Sequence, residues 1–518
     1  MQAPLPTVLD QSEDELGQAA EKASATVRRH AARWQALGTP EATCRQVLQQ
    51  LMRRHRIEPP NKRTMLEVLN RLKDAAWWRR ALRKRFRELE HAAIHAGRVH
   101  RHATPYVSER AMRRAERDRR RLSELLASME AINRSTGEVI ALDDLVESSL
   151  ANPTNRRKAL MARIKGTEQY ALSLGLEAWF LTLTCPSRMH ARQWITGAAN
   201  PRYDGTDPRK AQAYLSRVWR NAGRKLAHAG VELSGIRVVE PHHDGCPHWH
   251  VLVFIAPDDA PFALQTLRAY ALAESPNEPG AASRRFKAKR IDPEQGSAVG
   301  YVAKYVSKNV DGTGVDHDDE SQASGADASR RIVAWARLWS IRQFQFFGLP
   351  AITPTRELHR LQSLPVESPS LSAVLQACQA NDYAAWLREC ALHGLRFTVD
   401  HIERPSSRYP EEVSQRIHGL TAHAPDLAEP AKLVTREDLW CIQPKPKAAE
   451  ERDNAAAGAA PWTRFNNCAP VDFKGLFPPI DSGPEGFLSP SDLAAPPRRR
   501  PPPRTAMRRS EIREGEAC

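Results

Sequence analysis

The chain has 518 residues, with 76 lysines and arginines against 61 acidic residues, for a formal charge of +15 at pH 7. That length allows two or three domains with ample buried core, and an arginine-weighted excess suits contacts to phosphates. Eight cysteines are scattered without a C-x-x-C pair and Gly-Lys is absent, and there is neither a run of about twenty apolar residues nor a signal-peptide pattern; these exclude a disulfide framework, a membrane span and a phosphate-binding P-loop, and predict a soluble, cytoplasmic protein.

Residues 1–150 read as a helical, basic region. Stretches 46–56 and 64–89 mix apolar and charged residues without strand alternation. Trp77-Trp78 precede Arg79, Arg80, Arg83, Lys84, Arg85 and Arg87, a pairing of aromatic anchors with positive charge. Stretch 108–129 is a second arginine-dense helix, with Arg113, Arg114 and Arg120 as candidate DNA contacts. The competing reading is a solvated face, its arginines paired with Glu109, Glu116 and Asp118. Residues 133–154 are turn-rich and read as a link to the next domain.

A basic helix at 155–176 leads to a strand at 179–184 and a loop at 186–207. Stretch 209–228 is amphipathic, with Tyr214, Leu215, Val218, Trp219 and Ala222 on one stripe and Gly230 as its cap. Strand pattern 236–240 ends at Glu240, Asp244-Gly245 signals a hairpin turn, and His248-Trp249-His250 runs into the apolar strand Val251 to Ile255. Residues two apart on a strand share a face. His248 and His250 therefore present their imidazoles together, Trp249 turns to the other layer, and the hairpin brings Glu240 beside the pair. Two imidazoles and a carboxylate on a rigid sheet, with positions left open, suit a divalent metal. His242 and His243 read as outer-shell or DNA contacts. The rival reading is a non-catalytic DNA-binding protein with structural zinc on His243, Cys246, His248 and His250, which crowds four ligands into eight residues.

An apolar helix at 262–273 and a basic strand at 286–291 follow. Residues 300–309 read as a helix on which Tyr301 and Tyr305 share one face, Lys304 and Lys308 lie on the neighbouring flank, and Val302 and Val306 face the core. Residues 311–329 are acidic and rich in Gly and Ser, without calcium-loop spacing, and read as a mobile surface insertion. A helix at 331–340 and a closing strand at 341–347, with Arg342 as a further candidate DNA contact, complete this part. Residues 361–445 read as a helical C-terminal region, and 446–518, with Pro-Pro-Arg-Arg-Arg-Pro-Pro-Pro-Arg at 496–504, as a disordered Pro/Arg-rich tail. The fold expected for 151–360 is α+β, a central antiparallel sheet of about five strands with flanking helices.

Taken in order, Phe180-Leu181-Thr182-Leu183-Thr184-Cys185-Pro186-Ser187, residues 240–252, Tyr301 to Lys308, and residues 331–346 resemble successive motifs of the phage replication gene A proteins. These are rolling-circle initiator endonucleases of the HUH superfamily with two tyrosines. The resemblance covers roughly residues 150–360. It implies an HUH endonuclease domain with Mg2+ or Mn2+ on His248, His250 and Glu240. Tyr301 and Tyr305 would be nucleophiles forming a 5′-phosphotyrosine bond, with Lys304 assisting. It further implies single-stranded or supercoiled origin DNA as substrate, a host helicase and replication polymerase as partners, and the bacterial host cytoplasm as the setting. A relaxase or transposase of the same superfamily would use the same chemistry.

Overall fold

A computed structural model describes residues 13–62, 64–318, 320–405, 413–437 and 440–446. The tail expected at 446–518 falls, apart from residue 446, outside the described residues.

The chain opens with α1 (Glu13–Leu37), α2 (Glu41–Arg54), α3 (Met65–Leu72) and α4 (Ala75–His95). Leu16, Val27, Leu48, Met52, Leu72, Trp78 and Leu82 make their common core. The helical stretch expected at 64–89 consists of two helices. Thr64 and Glu67 form a reciprocal capping box at the start of α3, and the Asp74 side chain accepts from the Ala76 amide to start α4, so the chain re-enters a helix there. Trp78 is fully buried and donates to the Leu72 carbonyl at 2.8 Å; it is an interior anchor. In α5 (Glu109–Ala127) only Met112 is buried.

The turn-rich link expected at 133–154 carries regular structure: β1 (Met129–Asn133), β2 (Val139–Ala141) and α6 (Leu142–Ser148). β1 and β2 are an antiparallel pair closed by an Asn133 turn, its carboxamide oxygen accepting from Ser135, a local bond that Asn favours.

Next come α7 (Pro153–Ser173), β3 (Glu177–Thr184), α8 (Pro208–His228), β4 (Ser234–Pro241), β5 (Pro247–Ile255), α9 (Ala260–Leu272), α10 (Ala281–Arg284), β6 (Phe286–Arg290), α11 (Ala298–Val310), β7 (His317–Asp318), β8 (Ala323–Ser324), α12 (Gly325–Trp339) and β9 (Phe344–Phe347). Five of the strands form one antiparallel sheet in the order β6-β3-β5-β4-β9. The mixed helix-and-sheet class expected from the sequence is the class observed. Strand alternation sends Phe180, Val238, Leu252 and Phe254 to one face, against α7 and α11. Trp179, Leu181, Leu183, Trp249, Val251 and Val253 go to the other, against α8, α9 and α12. The sheet is covered on both faces, which explains why every residue of β5 is buried.

Trp249 sits directly behind the two histidines. It is completely buried, donates to Gln212 at 2.8 Å and packs under Arg237, 3.9 Å from the ring centre. Trp249→Ala is expected to destabilise the chain by about 3–5 kcal/mol through the cavity left behind, measured by denaturant unfolding.

The mobile insertion expected at 311–329 is instead tied down. A Cβ on Gly325 would lie 1.9 Å from the Val315 carbonyl oxygen, and one on Gly312 would lie 2.4 Å from that of Gly325. The loop thus closes by backbone approaches that only glycine permits, and its Asp318 is buried. Composition suggested a solvated segment because it counts charges without their partners.

The helical region expected at 361–445 is only half helical. After α13 (Ile352–Leu358), α14 (Pro369–Gln379) and α15 (Tyr383–Leu392) come β10 (Arg396–Pro405), β11 (Val413–His423) and β12 (Ala431–Val434), an antiparallel sheet in that order. The register steps from Gly419 opposite Asp400 to Ile417 opposite His401, leaving His418 as an extra residue that resets the side-chain alternation of β11 and hides that strand from a period-two reading. β13 (Trp440–Pro444) returns to pair with β1.

Candidate metal and nucleophile site

The hairpin turn at Asp244-Gly245 forms as the turn signal predicts. Gly245 has φ +84°, its amide donates to the His242 carbonyl at 2.8 Å, and the Cys246 amide donates to the Asp244 carboxylate at 3.1 Å. Asp244 faces His190 at 3.3 Å. Burial opposes protonation of His190, yet the Asp244 carboxylate outweighs it and holds the imidazole up to about 9. The Trp335 indole donates to the Gly245 carbonyl at 2.9 Å, and the Tyr106 amide to that of His243 at 3.1 Å. The turn is therefore pinned from α12 and from the segment before α5.

This hairpin sets Glu240 directly opposite His248. His248 Nε2 and His250 Nε2 lie 2.9 Å apart, and Glu240 Oε2 lies 3.9 Å from the first and 3.7 Å from the second. All three side chains are buried. Ligands at right angles around a cation with bonds of about 2.1 Å would lie about 3 Å apart, so a small inward movement of Glu240 would let these atoms share one ion. Burial, with the positive Lys308 nearby, pushes the pKa of both imidazoles well below the ordinary histidine value, which keeps their lone pairs free for a metal. Thr182 Oγ1 lies 3.4 Å from His250 Nδ1 and orients that ring. The buried Nδ1 of His248 has no hydrogen-bond partner among the described residues. Donor set, spacing and neutral imidazoles all fit a divalent cation.

Helix α11 lies over the same face of the sheet. Its Ser297 side chain caps the Gly300 amide, and Val299, Val302, Ala303, Val306 and Val310 seat it on the core. That seating turns Tyr301 and Tyr305 toward the histidines. The Tyr305 ring centre is 3.9 Å from that of His250 and 5.2 Å from that of Phe180. Tyr301 lies one turn further out, 6.3 Å from Phe180, with Lys289 Nζ 5.3 Å from its ring centre. Lys304 is half-buried on the same helix.

Lys308 is the lysine that enters the triad, which the tyrosine pattern did not single out. Its Nζ lies 3.5 Å from Glu240 Oε2 and 2.7 Å from Asp318 Oδ1. Burial alone would lower its pKa, but the Glu240 and Asp318 carboxylates hold it well above the ordinary lysine value. Asn309 also donates to Glu240, at 2.5 Å, and Gln343 of the segment before β9 fixes Asn309 at 3.0 Å. Burial pushes the Glu240 pKa up, against the pull of Lys308 and Asn309. The sequence placed Lys308 with Lys304 on the flank beside the tyrosines, and nothing in it pointed to Asn309 or to the contact of either with Glu240.

The four residues of the zinc alternative are not brought together. His243 Nδ1 accepts from the Arg101 amide at 3.4 Å and the ring packs on Trp194, while Cys246 is buried in the core that also holds Cys185. Among the described residues the groups able to share an ion are Glu240, His248 and His250, and a second one, His242, His248 and Glu320. The second group was not expected. His242 stacks on His248 with ring centres 4.0 Å apart, and its Nδ1 is 3.1 Å from Glu320 Oε1.

Of the candidate DNA contacts, Arg113 is exposed and 3.8 Å from Glu109, and Arg120 is exposed. Arg114 is half-buried with its guanidinium over the Phe86 ring, so part of its role is packing. Arg342 is exposed and donates to the Phe344 carbonyl at 3.0 Å. No helix among the described residues is long and apolar enough to cross a membrane.

Comparison with known proteins points to one family. The family model described as bacteriophage replication gene A protein matches residues 9–313. The replication gene A protein of Escherichia phage P2 is 35% identical over 433 residues, covering 78% of this chain and 56% of the relative. The replication protein of Haemophilus phage HP1 is 34% identical, covering 77% of this chain and 53% of the relative. A probable replication endonuclease from a prophage-like region of Salmonella paratyphi A is 34% identical, with coverage of 82% and 55%. The chain thus spans little more than half the length of these relatives. No solved structure matches.

Proposed function

The chain belongs to the bacteriophage replication gene A protein family, and we propose that it is a site-specific DNA nicking and joining endonuclease that initiates rolling-circle replication of a phage or prophage. We take residues 151–360 as an HUH endonuclease unit, with Tyr301 and Tyr305 as nucleophiles and His248, His250 and Glu240 as the metal triad. The observation that carries this reading is the Tyr305 ring lying 3.9 Å from that of His250, inside a buried His-His-Glu cluster.

A magnesium or manganese ion held by the triad would polarise the scissile phosphate and offset charge building on its oxygens. The chain's own part is positional. Thr182, Asn309 and Lys308 hold the triad in place, and α11 delivers a tyrosine hydroxyl to the phosphorus. The new bond is Oη–P and the broken one is P–O3′; the phenol proton leaves as the 3′ oxygen takes one up, with Lys304 assisting the transfer. A phenol titrates near 10 and is weakly nucleophilic unless helped. The freed 3′ hydroxyl would prime a host polymerase while a host helicase unwinds the duplex. The phosphotyrosine keeps the energy of the broken bond, so the reverse attack reseals DNA without ATP. With two tyrosines, one can hold the first 5′ end while the other cuts the regenerated origin.

The test is a labelled single-stranded origin oligonucleotide incubated with the protein and Mn2+, then run on a denaturing gel. A nicked product and a slow-migrating protein adduct are expected; neither product with any origin fragment would refute the reading.

Exposed Arg113, Arg120 and Arg342 are proposed to meet DNA phosphates. Arg113→Gln with Arg120→Gln is expected to flatten the plot of log affinity against log salt by about 0.7–0.9 for each phosphate no longer neutralised, without moving the cleavage position. An unchanged slope in a fluorescence-anisotropy salt series would remove these arginines from the interface.

A further inference from the structure

The proposed site uses Glu240, His248 and His250, yet a further buried acidic group stands beside it. Segment 311–325, closed by its glycines, reaches over the end of α11 and inserts Asp318 and Glu320 next to the triad. Asp318 is fully engaged: it accepts from the Tyr106 hydroxyl, from the Ser321 hydroxyl and from the Ser321 amide at 2.9 Å, and it pairs with Lys308. Glu320 is not. Its Oε1 lies 3.1 Å from His242 Nδ1, but its Oε2 is buried with no hydrogen-bond partner among the described residues, as is Nδ1 of the buried His248. A buried carboxylate oxygen with nothing to accept from is costly.

Charge points the same way. At formal charges, Glu240, Asp318 and Glu320 bring three negative charges and Lys308 one positive. Asp244 is matched separately by His190. The cluster is therefore short by two positive charges, the charge of one divalent cation, and Lys308 is already shared between Glu240 and Asp318. His242, His248 and Glu320 each offer an atom, and these atoms all lie within 4.8 Å of one another.

We propose that Glu320 is a carboxylate ligand of a divalent cation held with His242 and His248, in a group that shares His248 with the Glu240–His248–His250 triad. The inference rests on the cation site of the proposed function and extends it: the loop after the tyrosine helix is part of the metal shell.

The test is Mn2+ binding to the full chain, followed by calorimetry and by electron paramagnetic resonance of the free ion, with no DNA present. Glu320→Gln keeps the shape and the contact to His242 but removes the charge; it is expected to weaken Mn2+ more than about tenfold, with an unchanged near-ultraviolet circular dichroism spectrum in chelator. His242→Gln is the second probe and is expected to weaken Mn2+ as well, so that misfolding of one variant leaves the other informative. His248→Ala serves as the reference for loss of the whole centre. If His248→Ala loses Mn2+ while Glu320→Gln and His242→Gln bind it as wild type, Glu320 is not a ligand and this inference falls alone. If none of the three alters Mn2+ binding, the cation site itself falls, and this inference with it.

Discussion

Replacing both Tyr301 and Tyr305 by phenylalanine is expected to remove the covalent DNA adduct completely while leaving DNA affinity within about twofold, because no phosphate-binding charge is removed. The substitution deletes only two hydroxyls. The rings that pack against His250 and Phe180 stay, and so does the seating of α11 on Val302 and Val306. The single variants separate the two roles. Tyr305 sits against His250 and Tyr301 a helical turn away, so Tyr305→Phe is expected to lower the first nick more than Tyr301→Phe does. If the two alternate, each single variant still nicks an oligonucleotide but fails at repeated rounds on a circular template. Mass spectrometry of nuclease-trimmed adducts identifies the linked residue. An undiminished adduct in the double variant would place the nucleophile elsewhere; an adduct confined to one tyrosine would keep the mechanism and discard the alternation.

His248→Ala is expected to lower nicking by about 10³-fold or more, the scale of losing a principal charge-stabilising element at a phosphoryl centre. Chelator should do the same to the wild type, with Mn2+ or Mg2+ restoring it. His248 belongs to both groups able to share an ion, whereas His250 belongs to one, so His248→Ala should be the more damaging of the two single changes. DNA affinity measured by anisotropy should persist in both, because the phosphate contacts are proposed on other surfaces. His248→Asn guards against loss of packing at a residue only 5% exposed; it keeps a polar side chain of moderate size. Wild-type nicking in chelator would remove the metal from the mechanism. Recovery with zinc alone, with unfolding on chelation, would favour a structural ion.

What the sequence determined by itself is local. Same-face placement of His248 and His250 follows from the two-residue period of a strand, and that of Tyr301 and Tyr305 from the four-residue neighbourhood of a helix. Glu240 opposite His248 follows from a tight turn that sets the register of its two strands. Each of these needs only neighbours in the chain. The tertiary structure alone decided which lysine enters the triad: Lys304 and Lys308 occupy one flank, and only the packing of α11 against β4 brings Lys308 to Glu240. It alone turned the acidic loop inward, since Tyr106 and Asp318 meet across 212 residues, and no periodicity reports a pairing over that separation. It alone revealed β10 to β12, whose bulge erases alternation and whose stability comes from partner strands rather than from propensity. Local geometry specified the parts of the site, and the burial of charge against distant charge decided which other residues joined them.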